Sequence, residues 1–497
     1  MELSLTHGKP ELAESDILAV AVADPARLLS AARRVDAALA GRLTHLAEDG
    51  ELKGATRRLT VIHTLGDLPA HRVAVAGVGK EDELDADCLR TAAARVAGFA
   101  TGLRGGTIAW ALEPELPLSL VQQAQAIVDG TVLGAYDPGR WKTTDRDKTP
   151  LERLVLVGED VEAAAEVAHR AAVIAQWTNA ARDLVNAPPN ELTPAGLAKK
   201  ADEIAARFPA LRIEALDRAG IEDAGMGAFA AVARGSVQEP RLIVLTYQPE
   251  RAAAEPVLGL VGKAITFDAG GLSLKPAARL DAMKDDMAGG AAALCGLAAI
   301  AELGLPVRAL AVVPACENMP GGASYRPGDI LTSLSGKTIE ITNTDAEGRL
   351  LLADALTFAR QRGATHLLDL ATLTGGMTVA LGDFYAGLMG NERTWTESIR
   401  AAAEASGDHA WVLPLHRTYR RLYRSTYADV KNSSDLRQAS PVYAAMFLEE
   451  FAGEGPWAHL DIAGTAYLDR TRGDYFTGQG ATGYGVRLIA ELASRMG

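Results

Sequence analysis

Short apolar runs bounded by Gly, Pro, Asn or Asp recur along this chain, and they alternate with longer segments whose Ala and Leu positions repeat at helical spacing. In the N-terminal third, residues 17–22, 72–75 and 153–157 predict short buried strands, and residues 87–99 an Ala-rich helix. A longer Ala-rich helix is predicted from about residue 162 to 184. It stops at Asn186-Ala187-Pro188-Pro189-Asn190, where two prolines forbid its continuation. Beyond it, strands are predicted at 242–247, 257–261, 308–314, 338–342, 367–370, 385–389 and 459–462, and helices at 283–303, 350–360, 395–403 and 440–451. This alternation predicts an α/β fold. An N-terminal α/β domain, residues 1–165, is joined by the long helix to a larger α/β domain, residues 166–497, with a mostly parallel central sheet. In such sheets ligands bind at the carboxyl ends of the strands, so chemistry is sought there.

Composition narrows the class. A chain of 497 residues is long for one core and favours two domains. With 48% hydrophobic and 23% charged residues it is neither disordered nor collagen-like. A net charge of -13 argues against nucleic acid or an anionic membrane as the main partner. The three cysteines, Cys88, Cys295 and Cys316, are widely spaced and suggest neither a disulfide framework nor a thiolate zinc site. The first fifteen residues mix both charge signs without an apolar stretch, and later apolar runs are broken well short of a membrane span. The expectation is a cytoplasmic protein.

Two stretches collect ionisable groups at predicted strand ends. The first holds Lys263 just after a strand, Asp268 before Gly270-Gly271, then Lys275 and Asp286. The second is Asn343-Thr344-Asp345-Ala346-Glu347-Gly348-Arg349-Leu350, between a strand and a helix. Asp345 and Glu347 are two apart, so extended backbone would turn both to one side, where they repel unless a cation neutralises them. An acidic helix start explains either carboxylate alone, but not an arginine at the helix's positive end. Together Asp268, Asp286, Asp345 and Glu347 supply oxygen ligands for two divalent cations. The nine histidines are scattered without a His-Glu-x-x-His pair, and His366 and His459 read as structural. Gly478-x-Gly480-x-x-Gly483 matches a dinucleotide fingerprint, yet the 14 residues after Gly483 cannot supply a second strand with its acidic residue. Ser324 and Ser335 lack evident triad partners.

These residues resemble the leucine aminopeptidase, or cytosol aminopeptidase, family. The octamer 343–350 looks like its signature, and 263–275, Asp286-Met287, Asn318-Met-Pro, 326–330, 371–375, 461–465 and 481–487 follow in family order. The likeness is dense from about residue 182 onward and looser before it. It implies a variable N-terminal α/β domain and a catalytic α/β domain, usually in a homohexamer. It also implies a metalloprotease that releases N-terminal amino acids, leucine-like ones preferred, from peptides. By this resemblance Lys263, Asp268, Asp286 and Glu347 hold the tighter metal, and Asp268, Asp345 and Glu347 the exchangeable one. The two ions would be manganese or zinc, with magnesium also compatible. Lys275 and Arg349 match the two catalytic residues, Arg349 holding a bicarbonate that relays protons. Met283, Thr372, Leu373, Gly375 and Ala444 match the substrate pocket.

An ammonium has no lone pair, so Lys263 must lose a proton to coordinate. At about pH 7.5 that costs roughly 4 kcal/mol for a lysine of ordinary pKa, and activity is expected to rise toward alkaline pH. The chain departs from the family at Ala264 and Ala269 and in residues 437–443, which lack the glycines common there. Two rival readings are weighed: a DNA-binding architectural protein, disfavoured by the acidic charge, and a two-metal phosphoesterase, disfavoured by the lysine ligand and the ordered motifs.

Overall fold

A computed structural model describes residues 1–103, 106–144, 149–436 and 438–497. They form two compact units, residues 1–179 with 469–479, and residues 180–468 with 480–497.

The first unit is built on one sheet of β1 (Glu2–His7), β2 (Ile17–Ala23), β3 (Arg27–Leu28), β4 (Leu59–His63), β5 (Arg72–Gly79), β6 (Thr107–Ala111) and β7 (Arg153–Gly158). The spatial order is β1-β7-β6-β2-β5-β4, with β3 paired to β2. Its helices are α1 (Ser30–Ala38), α2 (Arg42–Glu48), α3 (Ala86–Ala100) and α4 (Leu120–Gly134). The central strand β2 is Val- and Ala-rich and buried at every position, as a strand covered on both faces must be. Helix α5 (Ala165–Asn186) carries the chain into the second unit. The division between units falls within it, at 179/180 rather than at the expected 165/166, and residues 469–479 return to the first unit.

The second unit runs α6 (Pro194–Ala205), β8 (Leu211–Leu216), α7 (Arg218–Asp223), α8 (Gly227–Ala233), β9 (Arg241–Tyr247), β10 (Val257–Gly262), β11 (Ala264–Asp268), α9 (Ala288–Glu302), β12 (Arg308–Asn318), β13 (Ile330–Thr332), β14 (Thr338–Glu340) and α10 (Gly348–Gln361). It continues β15 (His366–Ala371), α11 (Gly375–Leu381), β16 (Ala386–Gly390), α12 (Arg393–Ser406), β17 (Ala410–Val412), β18 (Val430–Lys431), α13 (Ser440–Glu449), β19 (Trp457–Asp461), β20 (Tyr467–Leu468), β21 (Gly480–Ala481) and α14 (Val486–Met496). The main sheet has the order β17-β16-β19-β15-β10-β12-β9-β8, and β11 extends it beside β12. Its middle, β19-β15-β10-β12, is parallel, while β16, β9 and β8 join antiparallel toward the edges.

Alternate sheet residues Val261, Leu310, Val312, Leu367 and Trp457 share a core with Phe229 of α8, Leu351 of α10 and Phe447 of α13. The intervening residues point to the opposite face, where α9 packs on β10, β12 and β15. Helix α9 is apolar all round and buried from Ala288 to Ile300, which is why no polar face marks it in the sequence. Asp354 of α10 accepts from the Phe229 amide at 2.9 Å and the Leu334 amide at 2.7 Å, and burial pushes its carboxyl up to about 7.

Two expectations change. The helix foreseen over 283–303 is broken into a 3-10 turn, Leu280–Asp285, and α9, because Asp286 between them is turned toward Lys263 and Thr372. The short strand β11, which ends on Asp268, was not foreseen. In line with its rejection as a dinucleotide fingerprint, the Gly478–Gly483 pattern lies at the antiparallel ribbon β20–β21 and not between a parallel strand and a helix. Among the described residues no helix is long and apolar enough to cross a membrane.

Candidate metal centre

The ends of five neighbouring strands converge. Lys263 follows β10, Asp268 ends β11, Asn318 ends β12, Thr372 follows β15 and Asp461 ends β19. The turn 343–347 enters from the N-terminus of α10. This turn is not extended. The Asp345 amide donates to Asn343 Oδ1 at 2.8 Å, an Asx turn, and Glu347 already has helical φ and ψ. The two carboxylates therefore reach the site through turn geometry, and the alternation argued from their spacing does not apply.

Lys263 Nζ lies 2.7 Å from Asp286 Oδ1 and 2.9 Å from Glu347 Oε1, and donates to the Thr372 carbonyl at 3.1 Å. Lys275 Nζ lies 2.8 Å from Asp268 Oδ2 and 2.6 Å from Asp345 Oδ1. The Thr372 hydroxyl donates to Asp286 Oδ1 at 2.7 Å. Carboxylate oxygens of Asp268, Asp286 and Glu347 come within 4.8 Å of one another. Asp345 stands beside this trio and is joined to it through Lys275. Gly348 lets the arrangement close: a Cβ there would sit 2.6 Å from Lys263 Cε and 2.8 Å from its Nζ.

Four carboxylates face two ammonium groups, so two negative charges are uncompensated when all six ionise. The protonation balance shows the strain. Burial and the neighbouring Glu347 push Asp268 up to about 6. Burial also raises Asp286 and Asp345, whereas Lys263 and Lys275 overcome the burial of Glu347 and hold it below the usual range. Burial alone would lower Lys263 and Lys275, but the surrounding carboxylates raise both. Asp286 Oδ2 is buried with no hydrogen-bond partner among the described residues. An anionic, oxygen-rich cluster with an unpaired carboxylate oxygen fits hard or borderline divalent cations.

Arg349 is buried in the first turn of α10. One Nη donates to the Asn432 carbonyl at 2.8 Å, the guanidinium lies 5.4 Å from the centre of the Tyr443 ring, and its Nε has no partner among the described residues. Burial would push the Tyr443 phenol up, but Arg349 and hydrogen bonds from Ser433 and Ser434 outweigh it and hold the phenol below the usual tyrosine value.

Of the residues expected in a substrate pocket, Thr372 touches Lys263 and Asp286, and the Leu373 amide donates to Asp461. Gly375 opens α11 with open space where a Cβ would stand, and Met283 is half-buried in the 3-10 turn. Ala444 is fully buried, because α13 is apolar on every side there, and it offers no accessible surface. Arg437, first of the residues noted as lacking glycines, lies outside the described residues. His459 pairs with Asp369 inside the sheet and His366 packs edge-on against Trp395, so neither enters the cluster. Sequence reasoning missed Asn318 and Asp461 as parts of the site. Asn318 carries no charge to notice, and Asp461 reaches the site through Leu373 and Thr374, accepting from both amides and from the Thr374 hydroxyl.

Residues 179–490 match the catalytic domain of the cytosol aminopeptidase family and residues 19–145 its N-terminal domain, so the likeness reaches further into the N-terminal part than the motifs alone suggest. A probable cytosol aminopeptidase of Roseiflexus castenholzii is 42% identical over 99% of this chain and 98% of its own length. Another, from Solibacter usitatus, is 44% identical over 90% and 92%. Among solved structures, a tomato leucine aminopeptidase variant superposes with a TM-score of 0.90 at 31% identity, covering 100% of this chain and 96% of that one. The bottromycin maturation enzyme BotP in complex with Mn superposes with a TM-score of 0.85 at 33% identity, covering 97% and 99%. The chain belongs to the cytosol aminopeptidase family and is a metal-dependent aminopeptidase, a hydrolase.

Proposed function

We propose that this enzyme releases leucine-like N-terminal residues from peptides at a centre of two divalent cations held by Lys263, Asp268, Asp286, Asp345 and Glu347. The observation that carries this reading is the trio Asp268, Asp286 and Glu347 within 4.8 Å, bracketed by Lys263 just past the end of β10 and Lys275 in the loop after β11. Bound there, the cations would acidify a water and polarise the scissile carbonyl, which makes a protein nucleophile unnecessary. Manganese, zinc and magnesium all suit the donor set, and the Mn in BotP favours the first.

The chain's own residues supply the rest. Lys275 Nζ, partly exposed between Asp268 and Asp345, is placed to donate to the carbonyl oxygen as negative charge gathers on it. Arg349, with its Nε unpartnered among the described residues, would hold an anion such as bicarbonate that passes the proton from water to the leaving amine. Thr372, Leu373, Gly375 and Met283 are proposed to border the first side chain of the substrate. Ala444 is left out of that set. Asp461 fixes the 372–374 backbone, since its carboxylate accepts from the Leu373 and Thr374 amides and the Thr374 hydroxyl. A cytoplasmic homohexamer is the assembly and location expected from the family resemblance.

The test is cleavage of a leucine anilide, an N-blocked peptide and a phosphodiester, each with added Mn²⁺ or Zn²⁺. The anilide alone should turn over. Hydrolysis of the blocked peptide or the diester at a comparable rate would overturn the proposal.

A further inference from the structure

Asn318 ends β12 and is completely buried. Its Nδ2 lies 2.8 Å from Asp268 Oδ1, 3.0 Å from the Thr344 carbonyl and 3.3 Å from Glu347 Oε2. Its Oδ1 is buried with no hydrogen-bond partner among the described residues. For folding alone this is a poor arrangement. The amide directs its two hydrogens at three acceptors and leaves its carbonyl desolvated and unpaired, a cost that an apolar side chain of the same size would avoid. Room for that carbonyl is made by Gly271, whose φ is +62° and whose Cβ, if present, would stand 2.8 Å from it. The two ends of the amide are thus treated oppositely, one pointed at carboxylates and the other merely accommodated.

The carboxylates it touches come from different elements. Asp268 ends β11, and Glu347 closes the 343–347 turn. The oxygens that Asn318 does not hold, Asp268 Oδ2 and Glu347 Oε1, meet the ammonium groups of Lys275 at 2.8 Å and Lys263 at 2.9 Å. These are the oxygens that face positive charge in this structure. A neutral donor is the chemistry that can hold the opposite edges. A lysine or arginine at 318 would itself neutralise the cluster, and an aspartate would add a fifth negative charge without donating a hydrogen.

We propose that Asn318 is a positioning residue for the cation site. Its amide locks Asp268 and Glu347, with the Thr344 backbone that leads to Asp345, in one mutual orientation that presents their remaining oxygens to divalent cations. This rests on the two-cation reading above. Removing the amide leaves all five ligands in the chain, and Asp268 Oδ1 keeps the Gly270 amide at 2.8 Å, but the donor shared by Asp268 and Glu347 is gone, so the two carboxylates are no longer held to each other and affinity falls while ligand identity is unchanged.

The test is calorimetric titration of chelator-treated wild type and Asn318→Ala with Mn²⁺, alongside the melting temperature of each metal-free protein. The Mn²⁺ Kd should weaken by about 10–100-fold with the stoichiometry intact. A Kd within twofold of wild type would overturn the proposal. So would a variant whose metal-free melting point drops while its Kd does not move, since that describes a purely structural residue. If Asn318→Ala does not fold, Asn318→Ser, too short to reach both carboxylates, decides by the same criterion. Wild type that takes up no Mn²⁺ would bring down the two-cation reading and this inference with it, whereas wild type and variant binding alike bring down this inference only.

Discussion

Gly348→Ala sets two physical effects against each other. Gly348 is the first residue of α10, and replacing a helical glycine by alanine ordinarily favours the helix by up to about 1 kcal/mol. Here the new methyl would lie 2.6 Å from Lys263 Cε and 2.9 Å from its Cδ. Ordinary carbon–carbon contact begins about 1 Å further out, so Lys263 must retreat by roughly that much. It cannot do so freely, because its Nζ is fixed by Asp286 at 2.7 Å, Glu347 at 2.9 Å and the Thr372 carbonyl at 3.1 Å. Overpacking a buried site typically costs about 1–3 kcal/mol, which cancels or exceeds the helical gain. Stability should therefore change little or fall slightly. Activity should change far more, since a displacement near 1 Å in a catalytic constellation costs on the order of 100-fold. The assay is kcat/KM on a leucine anilide at saturating Mn²⁺, with the Mn²⁺ Kd measured in parallel. A variant with higher melting temperature and kcat/KM within threefold of wild type would refute the steric argument and, with it, the placement of Lys263 at the centre.

Further outcomes are expected. In the metal-free protein the carboxylates outweigh burial and hold Lys263 above the ordinary lysine pKa, so the proton it must lose on coordination is bound over the whole working range. Mn²⁺ affinity should accordingly rise with pH between 7 and 9, and calorimetry in buffers of different ionisation heat should count at least one proton released. A pH-independent Kd would exclude Lys263 as a ligand. Lys275→Ala and Asp345→Ala should each lower kcat by about 100-fold or more with the melting temperature nearly kept, and rates like wild type in either would remove that residue from the mechanism. Asp354, whose carboxyl is raised to about 7 in the fold, binds its proton more tightly folded than unfolded. Its contribution to stability is therefore complete below about pH 4 and is lost as pH rises toward 7. The melting temperature of Asp354→Asn should decline less than that of wild type between pH 4 and 7, and parallel curves would contradict this.

The sequence revealed the charged members of the site and concealed the neutral ones. Asp268 and Asp286 stood out because carboxylates are scarce in apolar stretches near strand ends, and the strand ends are where the parallel sheet opens. The path of the chain between them was harder to read. Strand β11 is only five residues, follows directly on Lys263, and carries no alternation long enough to register. The break at Asp286 interrupts what the Ala-rich pattern presents as one helix, because a single side chain's partners, Lys263 and Thr372, are far away in sequence. Spacing misled at Asp345 and Glu347, where the Asn343 side chain bends the backbone that a two-residue repeat assumes to be straight. Asn318 was invisible as chemistry, since nothing about an uncharged amide in a motif says which two acids it will face.

The centre draws on β10, β11, the turn before α9, β12 and the entry to α10, positions separated by as many as 84 residues between Lys263 and Glu347. It therefore has no local seed. A peptide copied from 261–290 would contain two of the site's acids and both lysines yet lack the glutamate that joins them. One copied from 343–350 would hold the other two acids and Arg349 without a scaffold to aim them, and neither would include Asn318. Catalytic competence in this molecule is thus all-or-none with respect to its sheet, and a trimmed miniature that keeps the recognisable motifs should be inert.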